Sequence, residues 1–200
     1  MTEGPYATPI PYCDPLRAFA AFSGDPVSAL LDSAAEIGPR GRYAYIAADP
    51  FRVITAAKGG TTVDGCPAAG DPFQVLERQL KIFQMGNDPD LPPFQGGAVG
   101  YLGYELGRHL ERLPPPPEAG LDVPELLIGL YDTIAAFDVR TRHAWILAAE
   151  LEAADGTLVR PLPVDRAEAM AARIADAPPL PPVDWRPAGS WRPELSRLHY

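Results

Sequence analysis

Cysteine and histidine are scarce. Cys13 and Cys66 stand far apart, as do His109, His143 and His199, and no spacing among them suits a zinc site or a CxxC redox pair. They are read as structural or incidental. Long apolar runs are missing too: none approaches the roughly 20 residues that span a bilayer, and the opening MTEGPYATPIPYC has neither the basic start nor the apolar stretch of a secretion signal. Basic residues are in deficit, 17 against 26 acidic ones, and the formal charge of −9 is spread along the chain. That balance argues against nucleic acid or an anionic membrane as a partner. A soluble cytoplasmic protein is expected, with enough of its 200 residues apolar (46%) to bury a good core.

Proline, by contrast, is abundant. Its 25 copies are more than twice the usual share of about 5%, and they cluster at Pro114–Pro117 and within Pro178–Pro182, both read as extended connectors. Between them, local signals define elements. Asp14-Pro15 looks like an N-cap followed by proline at the first helical position, and Leu16, Phe19 and Ala20 keep helical spacing until Ser23-Gly24. Val27 to Ile37 fits either a helix or a buried strand by periodicity. Arg42–Ala48 and Phe51–Ala57 are rich in aromatic and β-branched residues, and Lys58-Gly59-Gly60 is a hairpin signal. Asp71-Pro72 opens a second helix through Phe83, with Phe73, Leu76, Leu80 and Phe83 on one stripe. The apolar runs Leu126–Phe137 and His143–Leu151 flank the polar turn 138–142, the pattern of an antiparallel hairpin. Asp165 is expected to cap a third helix carrying Met170 and Ile174. Meandering strands with outlying helices, without regular βαβ units, predict an α+β fold with a largely antiparallel sheet.

The most unusual stretch is Gly96-Gly97-Ala98-Val99-Gly100-Tyr101-Leu102-Gly103-Tyr104-Glu105-Leu106-Gly107-Arg108. It lacks the GK[ST] ending of a phosphate loop and the context of a dinucleotide fingerprint. The expectation is structural: glycines where a backbone or ring approaches closely, with Tyr101 and Tyr104 packed on the vacated surface.

That stretch, with Leu91-Pro92-Pro93-Phe94-Gln95 before it and Glu111, Leu113 and Pro114 after it, resembles the signature segment of the component I family of anthranilate and aminodeoxychorismate synthases. Leu30-Leu31-Asp32-Ser33, Gly41-Arg42-Tyr43 to Asp49-Pro50, and Gly129-Leu130-Tyr131-Asp132 with Phe137-Asp138 agree in order and spacing. The match runs over about residues 14 to 150, and Trp191 to Tyr200 is similar to the start of the helix that opens the family's catalytic region. Pro-Phe-Gln-Gly-Gly, Leu106-Gly107-Arg108 and Gly129-Leu130-Tyr131-Asp132 lean toward the aminodeoxychorismate branch; an anthranilate synthase piece is the alternative. Family members carry Leu-Leu-x-Ser at the end of a strand, so Val27–Ser33 is predicted as strand.

The resemblance implies replacement of the chorismate 4-hydroxyl by ammonia on the route to folate and p-aminobenzoate, with ammonia from a glutamine amidotransferase subunit and magnesium in the full-length enzyme. The family's magnesium-binding glutamates, acid and base groups and lysine belong to a C-terminal chorismate-binding domain and have no counterpart here, so no catalytic residue, metal ligand or cofactor is assigned to this chain. The implied organisation is an N-terminal domain over 1–177, a proline-rich linker over 178–189 and the start of the catalytic domain at 190–200. A piece of this kind is expected to expose an apolar face. The resemblance also implies a tryptophan-like pocket in which Ser33 hydrogen-bonds the ligand and Arg40, Gly41, Arg42 and Tyr43 form the wall. Against it stands a plainer reading: Ser33 ends a strand and Arg42 is a solvated charge. A free-standing amino-acid-binding module and an α+β domain without ligand remain the competing functions.

Overall fold

The computed structural model describes residues 4–33, 41–57, 60–82, 85–112, 114, 123–151, 160–182, 186 and 188–190. Asp14 starts the first helix, α1 (Pro15–Phe19), by accepting the N–H groups of Leu16 at 2.9 Å and Arg17 at 3.1 Å, with proline in the first turn. Two longer α-helices follow among the described residues, α2 (Pro72–Ile82) and α3 (Pro163–Ala175). Strands run as β1 (Tyr6–Ile10), β2 (Ala29–Leu31), β3 (Tyr43–Ala47), β4 (Arg52–Ala57), β5 (Gly60–Val63), β6 (Cys66–Pro67), β7 (Gly97–Leu102), β8 (Leu126–Tyr131), β9 (Thr133–Asp138) and β10 (His143–Ala148). They build two five-stranded sheets, in the orders β1-β10-β9-β3-β2 and β6-β5-β4-β8-β7. The pairings are antiparallel, so the fold is α+β as the sequence pattern predicts.

Alternation along the strands decides which faces are covered. On the first sheet Ala44, Ile46, Phe137 and Ile146 pack under Phe22, Met170 and Ile174, beneath α1 and α3. On the second, Ile54, Leu126, Ile128 and Leu130 pack against Val75 of α2 and Leu106. The remaining faces meet through Ala47, Ile134, Ala136 and Leu147 on one side and Val99 and Tyr131 on the other. The helices therefore lie outside a pair of contacting sheets.

The region from Val27 to Ser33 holds strand β2, and the helical spacing of its apolar residues does not prevail. Val27 sits at φ 55, outside helical geometry, and Leu30 then turns to the helix-covered core while Ala29 turns to the inter-sheet contact. The long run Leu126–Phe137 is two strands, not one. Asp132 interrupts it, and the chain passes there from the second sheet (β8) to the first (β9). The hairpin read at 138–142 joins β9 to β10, with Asp138 opposite His143.

Three local expectations are corrected. Asp165 lies inside the first turn of α3; the N-cap is Leu162, which gives no side-chain hydrogen bond, and Pro163 supplies the helical start. Val75, not Leu80, anchors α2: Val75 is buried while Leu80 is 44% exposed, and Phe83 lies outside the described residues. Tyr104 is 91% exposed and does not pack on the glycine surface, whereas the Tyr101 hydroxyl donates to the Pro124 carbonyl at 3.0 Å. The glycines do serve close approach. A Cβ on Gly100 would stand 2.0 Å from the Leu127 carbonyl oxygen, and Gly96 combines φ +128 with a 2.9 Å approach to the Tyr131 carbonyl oxygen.

Candidate functional site

The residues expected to wall a pocket lie at one end of β2 and β3. Leu31 faces Tyr45 across the ladder, and Ser33 follows two residues beyond the end of β2; its N–H donates to Asp32 Oδ1 at 2.8 Å. Gly41 is buried just before β3. Arg40 lies outside the described residues. Arg42 is not a purely solvated charge: its Nη2 and Nε lie 2.6 and 2.8 Å from Asp138 Oδ2, and its Cζ is 4.9 Å from the centre of the Tyr43 ring. Ser33, Gly41, Arg42 and Tyr43 are thus brought to the same end of the sheet, with Arg42 already committed to a carboxylate 96 residues away in sequence.

Beside them the sheet presents an aromatic surface that the motif reading missed. Leu31, Tyr45, Ala136 and Trp145 stand in register across four strands, and Tyr43, Asp138 and His143 form the next row. Tyr43 and Tyr45 have ring centres 6.1 Å apart, Tyr45 meets Phe94 edge-on at 5.4 Å, and His143 stacks on Trp145 at 5.9 Å. Burial pushes the Tyr45 hydroxyl above its ordinary pKa, so it stays neutral through the physiological range, and its oxygen accepts the Phe94 N–H at 3.4 Å. A flat apolar body fits such a surface. The signal was present in the alternation Tyr43-Ala44-Tyr45 and His143-Ala144-Trp145, which places aromatic residues on one face of two strands.

Asp138 anchors this end. Its Oδ1 accepts the N–H groups of Arg140 at 3.1 Å and Thr141 at 3.0 Å, closing the β9–β10 turn. Burial opposes its ionisation, but the bonds from Arg42 and Thr141 prevail and hold the carboxyl below its ordinary value of 3.8. A carboxyl with a depressed folded pKa contributes stability above its unfolded pKa, and that contribution is lost as pH falls through the folded value. Asp138→Asn is expected to cost about 2 kcal/mol at pH 7. Denaturant titrations should show this gap closing below pH 3.8, where the wild-type carboxyl itself takes up a proton.

A second polar assembly lies where the chain crosses between sheets. Asp132 is fully buried, its Oδ1 2.8 Å from Arg166 Nη1 and its Oδ2 3.4 Å from Arg160 Nε. Arg166 also donates to the carbonyls of Pro161 at 2.9 Å and Ala149 at 2.5 Å and to the Thr133 hydroxyl. Arg160 reaches Asp49. Asp132 Oδ2 has no hydrogen-bond partner among the described residues. Burial pushes the Asp132 carboxyl up and the Arg166 guanidinium down despite their mutual attraction, the pattern of a pair whose desolvation outweighs its Coulomb gain.

Among the described residues no three His, Cys, Asp or Glu side chains gather as metal ligands. Nor is any described helix long and apolar enough to cross a membrane. Leu102, at the end of β7, is 56% accessible, and Leu110 and Val123 are 71% and 60% accessible.

No protein-family model matches the chain. Among curated proteins it is 41% identical over 149 residues to aminodeoxychorismate synthase component 1 of Salmonella typhimurium, covering 64% of this chain and 32% of that protein. It is 33% identical over 129 residues to anthranilate synthase component 1 of Acetivibrio thermocellus, covering 62% of this chain and 26% of the relative. Against the Streptomyces coelicolor anthranilate synthase component 1 the identity is 36% over 138 residues, 66% of this chain and 24% of the relative. The chain thus spans about a quarter to a third of the length of these relatives. The crystal structure of anthranilate synthase component I from Streptococcus pneumoniae shares the fold with a TM-score of 0.52 at 21% identity, over 82% of this chain and 34% of that one.

Proposed function

We propose that these residues form the N-terminal, non-catalytic part of an aminodeoxychorismate synthase component I. The observation that carries this reading is the 41% identity to the Salmonella component 1, higher than the 33% and 36% to the two anthranilate synthase components; the Pro93-Phe94-Gln95-Gly96-Gly97 phrasing leans the same way. In this reading the reaction exchanges the 4-hydroxyl of chorismate for ammonia delivered by a glutamine amidotransferase subunit. The acid, base and magnesium-binding groups belong to a chorismate-binding region C-terminal to the one described. The two sheets and their aromatic surface are the framework on which that region packs.

Incubation of the chain alone with chorismate, ammonia and magnesium is expected to yield no aminodeoxychorismate and no anthranilate by chromatography. Sustained product formation would overturn the non-catalytic assignment.

The same surface supports a subordinate reading as an amino-acid pocket, with Ser33 and the Arg40–Tyr43 segment holding the polar end of tryptophan and Tyr43, Tyr45 and Trp145 facing its indole. Saturating tryptophan at about 100 times its Kd would stabilise the fold by about 2.7 kcal/mol. The expected result is a concentration-dependent rise in melting temperature that Tyr45→Ala abolishes. An unchanged melting temperature would remove the pocket while leaving the family reading intact.

A further inference from the structure

A cavity of about 420 Å³ opens between the turn after α1, the β3–β4 turn and one face of α3. It lies at the opposite end of β2 and β3 from Ser33 and Tyr43, because Val27 and Ala48–Pro50 line it. Its size falls within the usual range of small-molecule sites. Phe22, Val27 and Met170 give it an apolar floor.

Three arginines, Arg160, Arg166 and Arg173, line the cavity together with Asp25 and Asp49. Arg173 pairs with Asp25 at 2.8 Å and Arg166 with the buried Asp132 at 2.8 Å, while Arg160 has only a 3.4 Å approach to Asp132 beside its pair with Asp49. Arg160 and Arg166 are largely desolvated, with side chains 17% and 7% exposed, whereas Asp49, the partner of Arg160, is 74% exposed. An ion pair with so solvated a carboxylate is weak. A ligand carboxylate inside the cavity would meet the same guanidinium with less competition from water.

The wall is also strained. Val27 and Asp49 both sit at φ 55, a left-handed conformation that is a genuine outlier for a β-branched residue. Val27 is held there by the Tyr131 hydroxyl, which donates to its carbonyl and which burial raises to about 12, so that it remains a donor. Backbone strain of this kind gathers at ligand clamps.

We propose that this cavity binds a small monocarboxylic acid with an apolar body, the carboxylate on the arginine wall and the hydrocarbon over Phe22, Val27 and Met170. This site is independent of the component I reading and of the aromatic surface. Titration calorimetry with octanoate is expected to show saturable binding below about 1 mM, with octanamide, which has the same body without the charge, about tenfold weaker or worse. Ala169→Trp, which fills the cavity from an exposed helix position, should abolish binding, and the Arg160→Gln/Arg173→Gln double variant should reduce octanoate to the octanamide level. Equal affinity for acid and amide in the wild-type chain, absence of saturable binding, or binding retained in Ala169→Trp would each overturn the proposal. The acid–amide comparison needs no variant, so it decides the charge claim even if the double variant fails to fold.

Discussion

Arg166→Met is expected to lower the unfolding free energy by about 3–5 kcal/mol at neutral pH, because it strands a buried carboxylate. Asp132 is fully buried and meets Arg166 at 2.8 Å, while its second oxygen has only the 3.4 Å approach of Arg160. Removing the guanidinium leaves Thr133 and the carbonyls of Pro161 and Ala149 without the donors they now accept. The sign of the pH dependence distinguishes this from simple loss of packing. Burial already raises the Asp132 carboxyl above its ordinary pKa, and loss of a neighbouring cation raises it further. A raised carboxyl pKa means that the folded state binds the proton more tightly, so the stability linked to Asp132 falls as pH rises through the window between unfolded and folded values. The penalty of Arg166→Met should therefore shrink on acidification, and Asp132→Asn in the same background should relieve much of it at pH 7. Urea titrations of the single and double variants between pH 5 and 7 measure this. A pH-independent penalty unaffected by Asp132→Asn would mean that the arginine contributes only its packing.

Gly100→Ala is expected to detach β7 from β8 and to cost about 3 kcal/mol or more. The added Cβ would stand 2.0 Å from the Leu127 carbonyl oxygen and 2.8 Å from the Ile128 Cα, both backbone atoms, so relief requires the strand itself to move. β7 pairs with β8 from Gly97–Tyr131 to Leu102–Leu126, and its Val99 contributes to the contact between the two sheets. The effect should appear as loss of amide protection along β7 and a lower melting temperature. Gly24→Ala is the control: no atom lies within 4 Å of its added Cβ, and its stability should stay within about 0.5 kcal/mol of wild type. Similar losses for both substitutions would show that close approach is not what Gly100 serves.

The positions where the fold could be read from the chain share a local cause. Asp14-Pro15 specifies its own helix start because the accepting carboxylate and the N–H groups that donate to it lie within three residues, and the β9–β10 hairpin is announced by polar residues between apolar runs. Val27 to Ile37 is ambiguous by periodicity, and only the family motif favours a strand over Val27–Ser33. What escaped reading depends on distant partners. Nothing near Asp132 in the sequence reveals that an apolar run changes sheets there, because the cations that hold it, Arg160 and Arg166, come from the approach to α3 and from α3 itself. Nothing near Arg42 in the sequence distinguishes a pocket wall from a solvated charge, because its partner Asp138 lies 96 residues away and comes beside it through the β3–β9 pairing. Tyr45 and Trp145 were legible as alternating aromatics, but their neighbourhood rests on β9 lying between β3 and β10, and pairing order is not written in any one strand.

The central claim, that this domain is the framework of a chorismate-using component I, is tested most directly by a chimera. Residues 14–150 of this chain would replace the matching segment of the Salmonella aminodeoxychorismate synthase component 1, and product would be assayed with chorismate, ammonia and magnesium. A folded chimera that forms aminodeoxychorismate is expected. A folded chimera that forms none, under conditions where the Salmonella parent is active, would contradict it.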